Sequence, residues 1–398
     1  MTTSLFNRRA VKVDVDSGSA KQESHATFHD GRMHGGDLQR ASERYGVEPQ
    51  EWLDLSTGIN PVAYPVGNIA AEAFQQLPYQ SAAFKHAVGT YYLEEYIGEN
   101  LEEGRSISWV ATNGSQQMIQ ALPACLLGSP SFPVLIPNIG YQEHRQHWAL
   151  HGTVIEDYPA LNHEAANAYI EQRIAESNQQ NQPFHCVIIN PNNPTGLLFS
   201  PAQLVDWARR MPAGGMMIID EAFIDAIPEQ SVLPAHFEAN MIVLRSFGKF
   251  FGLAGLRLGF TFASEQTIKK LSAHISPWDV NGPAQAVAIR ALSDENWQQT
   301  AIATIQKNAQ WTQEMLSPLL SSMHGKLKVS WQTKMPLFLS VQLPKVIAMR
   351  LVESFAQQGV LLRLIDVDSA HSLIRIGIVD RDNPRSTERF IRAIKQVF

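Results

Sequence analysis

Three stretches of the chain are apolar without alternation: Cys186-Val-Ile-Ile189, Met216-Met-Ile-Ile219 and Met241-Ile-Val-Leu244. Runs with no polar face are typical of strands at the centre of a parallel sheet, covered on both sides. Val134-Leu-Ile-Pro137 and Ser106–Ala111 predict two more strands. Helical periodicity lies between and around them, at Gln117–Leu127, His163–Gln182 and Pro201–Arg210. Strands that alternate with helices predict an α/β fold. Ahead of this block, Asp37 is placed to cap a short helix ending at Gly46, Trp52–Leu55 reads as a short strand, and helices are expected at Asn68–Gln76 and Ala82–Tyr96. Behind it, Ala263–Ala291 reads as helical with a break at Ser276-Pro277-Trp278, and Asp294–Ser321 as a long amphipathic helix. The C-terminal part alternates again. Strands are expected at Leu327–Trp331, Leu337–Val341, Val360–Leu364 and Leu373–Ile378, and helices at Lys345–Gln358 and Arg385–Val397.

Length and composition narrow the class. A chain of 398 residues suits two packed domains. A hydrophobic content of 44% and a charged content of 18% are those of an ordinary globular protein. The net charge of −6, with no basic cluster, gives no footprint for nucleic acid. No apolar run reaches the length of a membrane span. Cys125 and Cys186 form no CxxC or zinc pattern and read as core thiols, which makes the cytoplasm the expected compartment. Residues 1–30 are polar, lack an apolar signal core and read as a flexible extension.

Candidate chemistry collects where apolar strands end. Lys249 stands in Arg245-Ser-Phe-Gly-Lys-Phe-Phe-Gly252, with Ser246 before it and Arg257 after it. Burial among small and apolar residues favours the neutral, nucleophilic amine. A hydroxyl and a guanidinium nearby suit a phosphate, so the stretch fits pyridoxal phosphate, which needs an amine for its aldehyde and an anchor for its phosphate. Read alone, it fits a salt-bridged loop lysine equally well. The turn Thr112-Asn-Gly114-Ser115 joins a strand to a helix start, which is a ready anion site and also ordinary capping chemistry. Tyr141 could stack on a flat ring or simply fill core. Asn193 and Asp220 follow apolar strands, at the sheet edge where α/β folds bind ligands, and a carboxylate there can pair with a ring cation. Arg363 and Arg375 lie inside apolar strands, each either an anion clamp or half of an internal ion pair. His34, beside two glycines, reads as a loop histidine. His144, His147 and His151 share a helix face, but no carboxylate or cysteine completes a metal shell, so they read as a solvated face and no metal is expected.

The order and spacing of these pieces resemble the fold-type-I pyridoxal-phosphate enzymes, the aspartate aminotransferase-like family. The resemblance covers nearly everything after residue 31. It implies a large domain with a mostly parallel seven-stranded sheet between helices, plus a smaller α+β domain. Boundaries follow at 31–64 for an N-terminal segment that contributes to the substrate site, 65–290 for the cofactor-binding domain and 291–398 for the small domain. It implies that Lys249 carries the cofactor, that Asp220 faces the pyridine nitrogen, that Asn193 bonds the ring oxygen and that Tyr141 stacks on the ring. Gly114, Ser115, Ser246 and Arg257 would hold the phosphate, and Arg375 the substrate carboxylate. His34-Gly-Gly, Leu-Ser-Thr-Gly-Ile-Asn-Pro at 55–61, Tyr-x-Glu-His at 141–144 and Asp-Glu-Ala-Phe-Ile-Asp at 220–225 look like the threonine-phosphate decarboxylases of cobalamin synthesis. That likeness implies a phosphorylated amino acid as substrate, with His34 and Arg363 facing its phosphate, and a homodimer. A histidinol-phosphate type of aminotransferase is the alternative. The position after Asp-x-x, a tyrosine in many relatives, is Phe223 here.

Overall fold

The computed structural model describes residues 35–97, 107–126, 132–233, 237–322 and 336–397. His34, residues 1–30 and the strand expected at Leu327–Trp331 lie outside the described residues. All elements below belong to the unit Gly35–Phe398.

The strands in chain order are β1 (Leu53–Asp54), β2 (Ile107–Thr112), β3 (Val134–Pro137), β4 (Ile155–Tyr158), β5 (His185–Ile189), β6 (Met217–Asp220), β7 (Met241–Ser246), β8 (Gly259–Ser264), β9 (Phe338–Pro344), β10 (Val360–Leu361), β11 (Arg363–Asp366) and β12 (His371–Gly377). Seven of them form one sheet in the order β2-β8-β7-β6-β5-β3-β4. From β4 to β7 the neighbours run parallel, and β8 runs antiparallel to both β2 and β7. The unbroken apolar runs have a direct cause. Ile188, Ile219 and Val243 feed the core on one face of the sheet, whereas Val187, Ile218 and Ile242 feed a separate core on the other. Strand residues alternate between faces, so a sheet covered on both faces needs apolar side chains at every position. The helices Ser115–Leu126, Gln142–Leu150, His163–Gln180 and Pro201–Arg210 join successive strands. Two of them start on side-chain caps: Asn162 accepts from the Ala165 amide, and Ser200 accepts from the Gln203 amide ahead of Pro201.

A smaller antiparallel sheet has the order β11-β12-β9, and β1 pairs in parallel with β10. Leu339, Val341, Ile374 and Ile376 form its core with Leu351 and Phe355 of the helix Lys345–Gln357. In this sheet Arg363 lies directly opposite Arg375.

Several elements differ from the sequence reading. The helix expected at Asn68–Gln76 is a single turn, Glu72–Gln75, bounded by extended backbone at Gln76. The helical reading of Ala263–Ala291 is wrong at its start, because Ala263 and Ser264 end β8 and the helices are Glu265–Ser272 and Gly282–Leu292. The segment 360–364 is two strands in two sheets. β4 was not foreseen. It is a four-residue edge strand whose sequence, Ile-Glu-Asp-Tyr, has no apolar run.

Beneath the ends of β6 and β7 lies a buried charge cluster. Arg245 pairs with Glu221 at 3.1 Å and with Asp225, and Tyr91 donates its hydroxyl to Asp225 at 3.1 Å. Burial raises the pKa of Glu221, opposed by Arg245.

Candidate active site

The C-terminal ends of the parallel strands open into a cavity of about 120 Å³. Its walls include Gly114 and Ser115 after β2, Asn193 after β5, Asp220 at the end of β6, Ser246 at the end of β7, and Lys249, Arg257 and Tyr141. Eight of the positions singled out in the sequence therefore share one cavity. Arg375 reaches it through Asn193, to which its Nη1 donates a hydrogen bond. Arg363 stands one strand further out.

One end of the cavity is built for an anion. The antiparallel insertion of β8 puts Gly259 opposite both Thr112 and Ser246, which brings the turn after β2 beside the end of β7. A Cβ at Gly259 would lie 2.4 Å from the Ser115 nitrogen, so only glycine permits this approach. Gly114 has φ +74°, and a Cβ on it would lie 2.7 Å from Arg257 Nη2. The guanidinium is thus seated on bare backbone at the N-terminus of the helix Ser115–Leu126. There the free N–H groups and the helix dipole favour negative charge. Arg257 is itself in the left-handed region at φ +54°. A non-glycine residue held there is a strained element of the kind that gathers at functional sites.

At the other end stands Lys249, on the short helix Phe247–Phe250. Its pKa is lowered to about 8, first by burial and then by Arg375 and Arg257, against Asp220 and Asp54. Its amine lies 5.5 Å from the centre of the Phe223 ring. Asp220 accepts from the Ala222 amide at 3.1 Å and meets His144 Nε2 at 3.0 Å.

This last contact overturns the reading of the three histidines as a solvated face. The His144 side chain is 1% exposed and lies behind Asp220. His147, further along the same helix, is 20% exposed and pairs with Glu143, and His151 is exposed. The helix Gln142–Leu150 dips under the cavity at its start and emerges at its end. Tyr141 donates its hydroxyl to Gln116 Oε1 at 2.9 Å, and Gln116 in turn donates to Glu143. Burial, with Glu143 and Asp220, raises the Tyr141 pKa. His144 and Gln116 are the site residues that sequence reasoning missed. The Tyr-x-Glu-His spacing was the available signal for His144.

Arg375 is 6% exposed, and neither it nor Arg363 forms an ion pair among the described residues. The internal ion pair considered for each is therefore not what holds them. Arg375 is held instead by neutral acceptors, the Asn193 side chain and the Ser56 carbonyl, and lies over the Phe338 ring at 5.5 Å. Its Nε has no partner among the described residues. Burial and then Arg363 lower its pKa to about 10. Two neighbouring guanidiniums in no ion pair among the described residues, with Asp54 acting on Arg375 only through its field, are an arrangement that an anionic ligand completes.

These groups fit pyridoxal phosphate. The bare-backbone seat of Arg257 at a helix start suits the phosphate, the depressed Lys249 suits the aldehyde, and the Asp220 carboxylate, backed by His144, suits the ring nitrogen. Among the described residues no group of three or more His, Cys, Asp or Glu side chains could hold a metal ion. No helix among them is long and apolar enough to cross a membrane.

Comparison with known proteins adds three findings. Residues 68–394 match the family Aminotransferase class I and II. A threonine-phosphate decarboxylase of Pseudomonas aeruginosa is 36% identical over 71% of this chain and 77% of its own length, and one from a Sinorhizobium species is 35% identical over 70% and 76%. Among solved structures, the histidinol-phosphate aminotransferase of Sinorhizobium meliloti in complex with pyridoxal-5'-phosphate superposes with a TM-score of 0.70. That match is at 18% identity and covers 95% of this chain and 98% of that one.

Proposed function

The chain belongs to the aminotransferase class I and II family, and from that premise we propose that it decarboxylates L-threonine O-3-phosphate to 1-amino-2-propanol O-2-phosphate. The product is the linker used in the nucleotide loop of cobalamin. The observation that carries the reading is the pair Arg375 and Arg363, opposite each other in β12 and β11, in no ion pair among the described residues, with Arg375 near enough to help depress the Lys249 amine. A substrate with both a carboxylate and a phosphate supplies two anions for two guanidiniums.

When bound, pyridoxal phosphate would supply an aldehyde for the substrate amine and an electron sink for the pair released at Cα. Gly114, Ser115, Ser246 and Arg257 would hold its phosphate. The Asp220 carboxylate would face the ring nitrogen, and its contact with His144 holds it in place. Tyr141 and Asn193 line the cavity and would border the ring. Arg375 would grip the substrate carboxylate, and Arg363 would face the substrate phosphate. Holding both anions fixes rotation about the Cα bonds and so selects which one breaks. Lys249 Nζ, with its pKa near 8, delivers a proton to Cα after CO2 leaves.

The proposal includes a cofactor-binding part at 65–290, a smaller C-terminal part at 291–398, a homodimer and a cytoplasmic location. Incubating the purified enzyme with threonine phosphate tests the reaction. CO2 release without any oxo acid is expected, and a strict requirement for 2-oxoglutarate would overturn it in favour of a histidinol-phosphate type of aminotransferase. Lys249→Ala is expected to remove both turnover and the visible band of the bound cofactor. An unchanged band would remove Lys249 from its role.

A further inference from the structure

From β1, which pairs with β10, to Tyr64 the chain passes from the end of β12 to the short helix that carries Lys249, and it touches the site at several points. The Gly377 amide donates to the Leu55 carbonyl at 2.6 Å. Arg375 Nη2 donates to the Ser56 carbonyl. The Asn60 amide donates to the Lys249 carbonyl at 3.0 Å, and the Asn60 side chain donates to the Phe250 carbonyl at 2.9 Å. This one segment therefore joins the arginine that meets the substrate to the lysine that meets the cofactor.

Ser56 is the buried centre of that segment, at 2% exposure. Its position is set by Asp54, whose Oδ1 accepts both the Ser56 amide at 2.8 Å and the Ser56 hydroxyl at 2.6 Å. The hydroxyl oxygen accepts in turn from the Gly36 amide at 2.8 Å. The Gly35–Gly36 segment lies so close that a Cβ on Gly35 would be 2.3 Å from the Ser56 carbonyl oxygen. The carbonyl that orients Arg375 is thus fixed from two sides, by a carboxylate below and by the glycine pair above.

We propose that Asp54 and Ser56 are positioning residues for Arg375, a latch that ties the Gly35–Gly36 segment to the guanidinium and fixes the angle at which it presents itself to the substrate carboxylate. In this proposal the hydrogen bonds to Ser56, rather than the Asp54 charge that also acts on Arg375 and Lys249, orient the guanidinium. The inference rests on the reading of Arg375 as the carboxylate clamp. If the clamp rotates, the carboxylate leaves the orientation needed for its bond to break, and the Cα–H bond takes its place. The consequence is a change in which bond breaks, beyond any loss of speed.

The test compares the holoenzyme with Asp54→Ala, Asp54→Asn, Ser56→Ala and Arg375→Lys, on threonine phosphate in D2O. Two readouts are taken: the ratio of CO2 release to deuterium uptake at Cα of recovered substrate, and the melting-temperature rise that O-phospho-L-threonine produces in the cofactor-free protein. Asp54→Ala and Ser56→Ala are expected to move the ratio toward exchange by about tenfold, to raise KM by about tenfold and to shrink the melting-temperature rise. Asp54→Asn keeps an acceptor for Ser56 and is expected to stay within about twofold of the parent. The latch is overturned if Ser56→Ala leaves the ratio and KM unchanged while Arg375→Lys alters them. It is equally overturned if Asp54→Asn is as impaired as Asp54→Ala, because charge rather than the hydrogen bond would then be responsible. If Asp54→Ala does not fold, Ser56→Ala carries the comparison. Should Arg375→Lys itself change neither readout, the clamp reading fails and the latch fails with it.

Discussion

Lys249 stands between two arginines and two carboxylates, and burial tips the balance toward the neutral amine. An ordinary lysine near 10.5 is almost wholly protonated at neutral pH, whereas one near 8 keeps a useful fraction free. The rate at which cofactor-free protein captures pyridoxal phosphate is expected to rise with pH and level off just above pH 8. A rate that climbs on toward pH 10 would contradict the burial argument. Stability follows the same titration. Below pH 8 the folded state carries the cost of a buried ammonium. As pH rises from 8 toward 10.5 the folded lysine is neutral while the unfolded one still holds its proton, and the cost fades. His144 shows what residue type alone conceals. Positions 144, 147 and 151 fall on one helix face, but periodicity reports the direction of a side chain and says nothing of depth along the helix. Only His144 reaches Asp220.

At the level of elements, what the sequence disclosed and what it hid divide along physical lines. β5, β6 and β7 were legible because a strand buried on both faces must be apolar throughout. β4 was hidden because an edge strand is under no such demand. β8, Gly-Phe-Thr-Phe-Ala-Ser, was hidden because its C-terminal end runs directly into the helix Glu265–Ser272, with Ser264 as the N-cap. That missed strand is what brings the turn at Gly114 to Ser246. The anion seat was therefore foreseen in its residues and missed in the element that assembles it. Gly114→Ala would force a side chain into φ +74° and against Arg257. Its affinity for pyridoxal phosphate is expected to fall about tenfold, read from cofactor absorbance at graded concentrations. Gly46→Ala is the control. It has a similar φ of +68° with nothing within 4 Å, so the backbone cost of about 1 kcal/mol remains and cofactor affinity does not move.

For the molecule as a whole, Phe74, Leu77 and Tyr79 are more than half exposed, and Tyr79 meets the half-exposed Trp278 edge-on at 6.2 Å. Apolar exposure of this kind supports the proposed second copy as its cover. Light scattering of the purified protein is expected to give about twice the 44.3 kDa chain mass, and a monomer at micromolar concentration would argue against the homodimer. The charge cluster under β6 and β7 bears on how the chain reaches this form at all. Asp220 and Ser246 face the cavity, whereas the adjoining Glu221 and Arg245 face the buried cluster. Because side chains alternate along a strand, a slip of β7 by one residue would exchange the roles of Arg245 and Ser246. Glu221 and Asp225 would lose their buried counter-charge in the same step that placed a guanidinium among the cofactor ligands. A mispaired sheet is thus penalised at its most buried point, and the alignment that makes a catalyst is also the alignment that the chain can fold into.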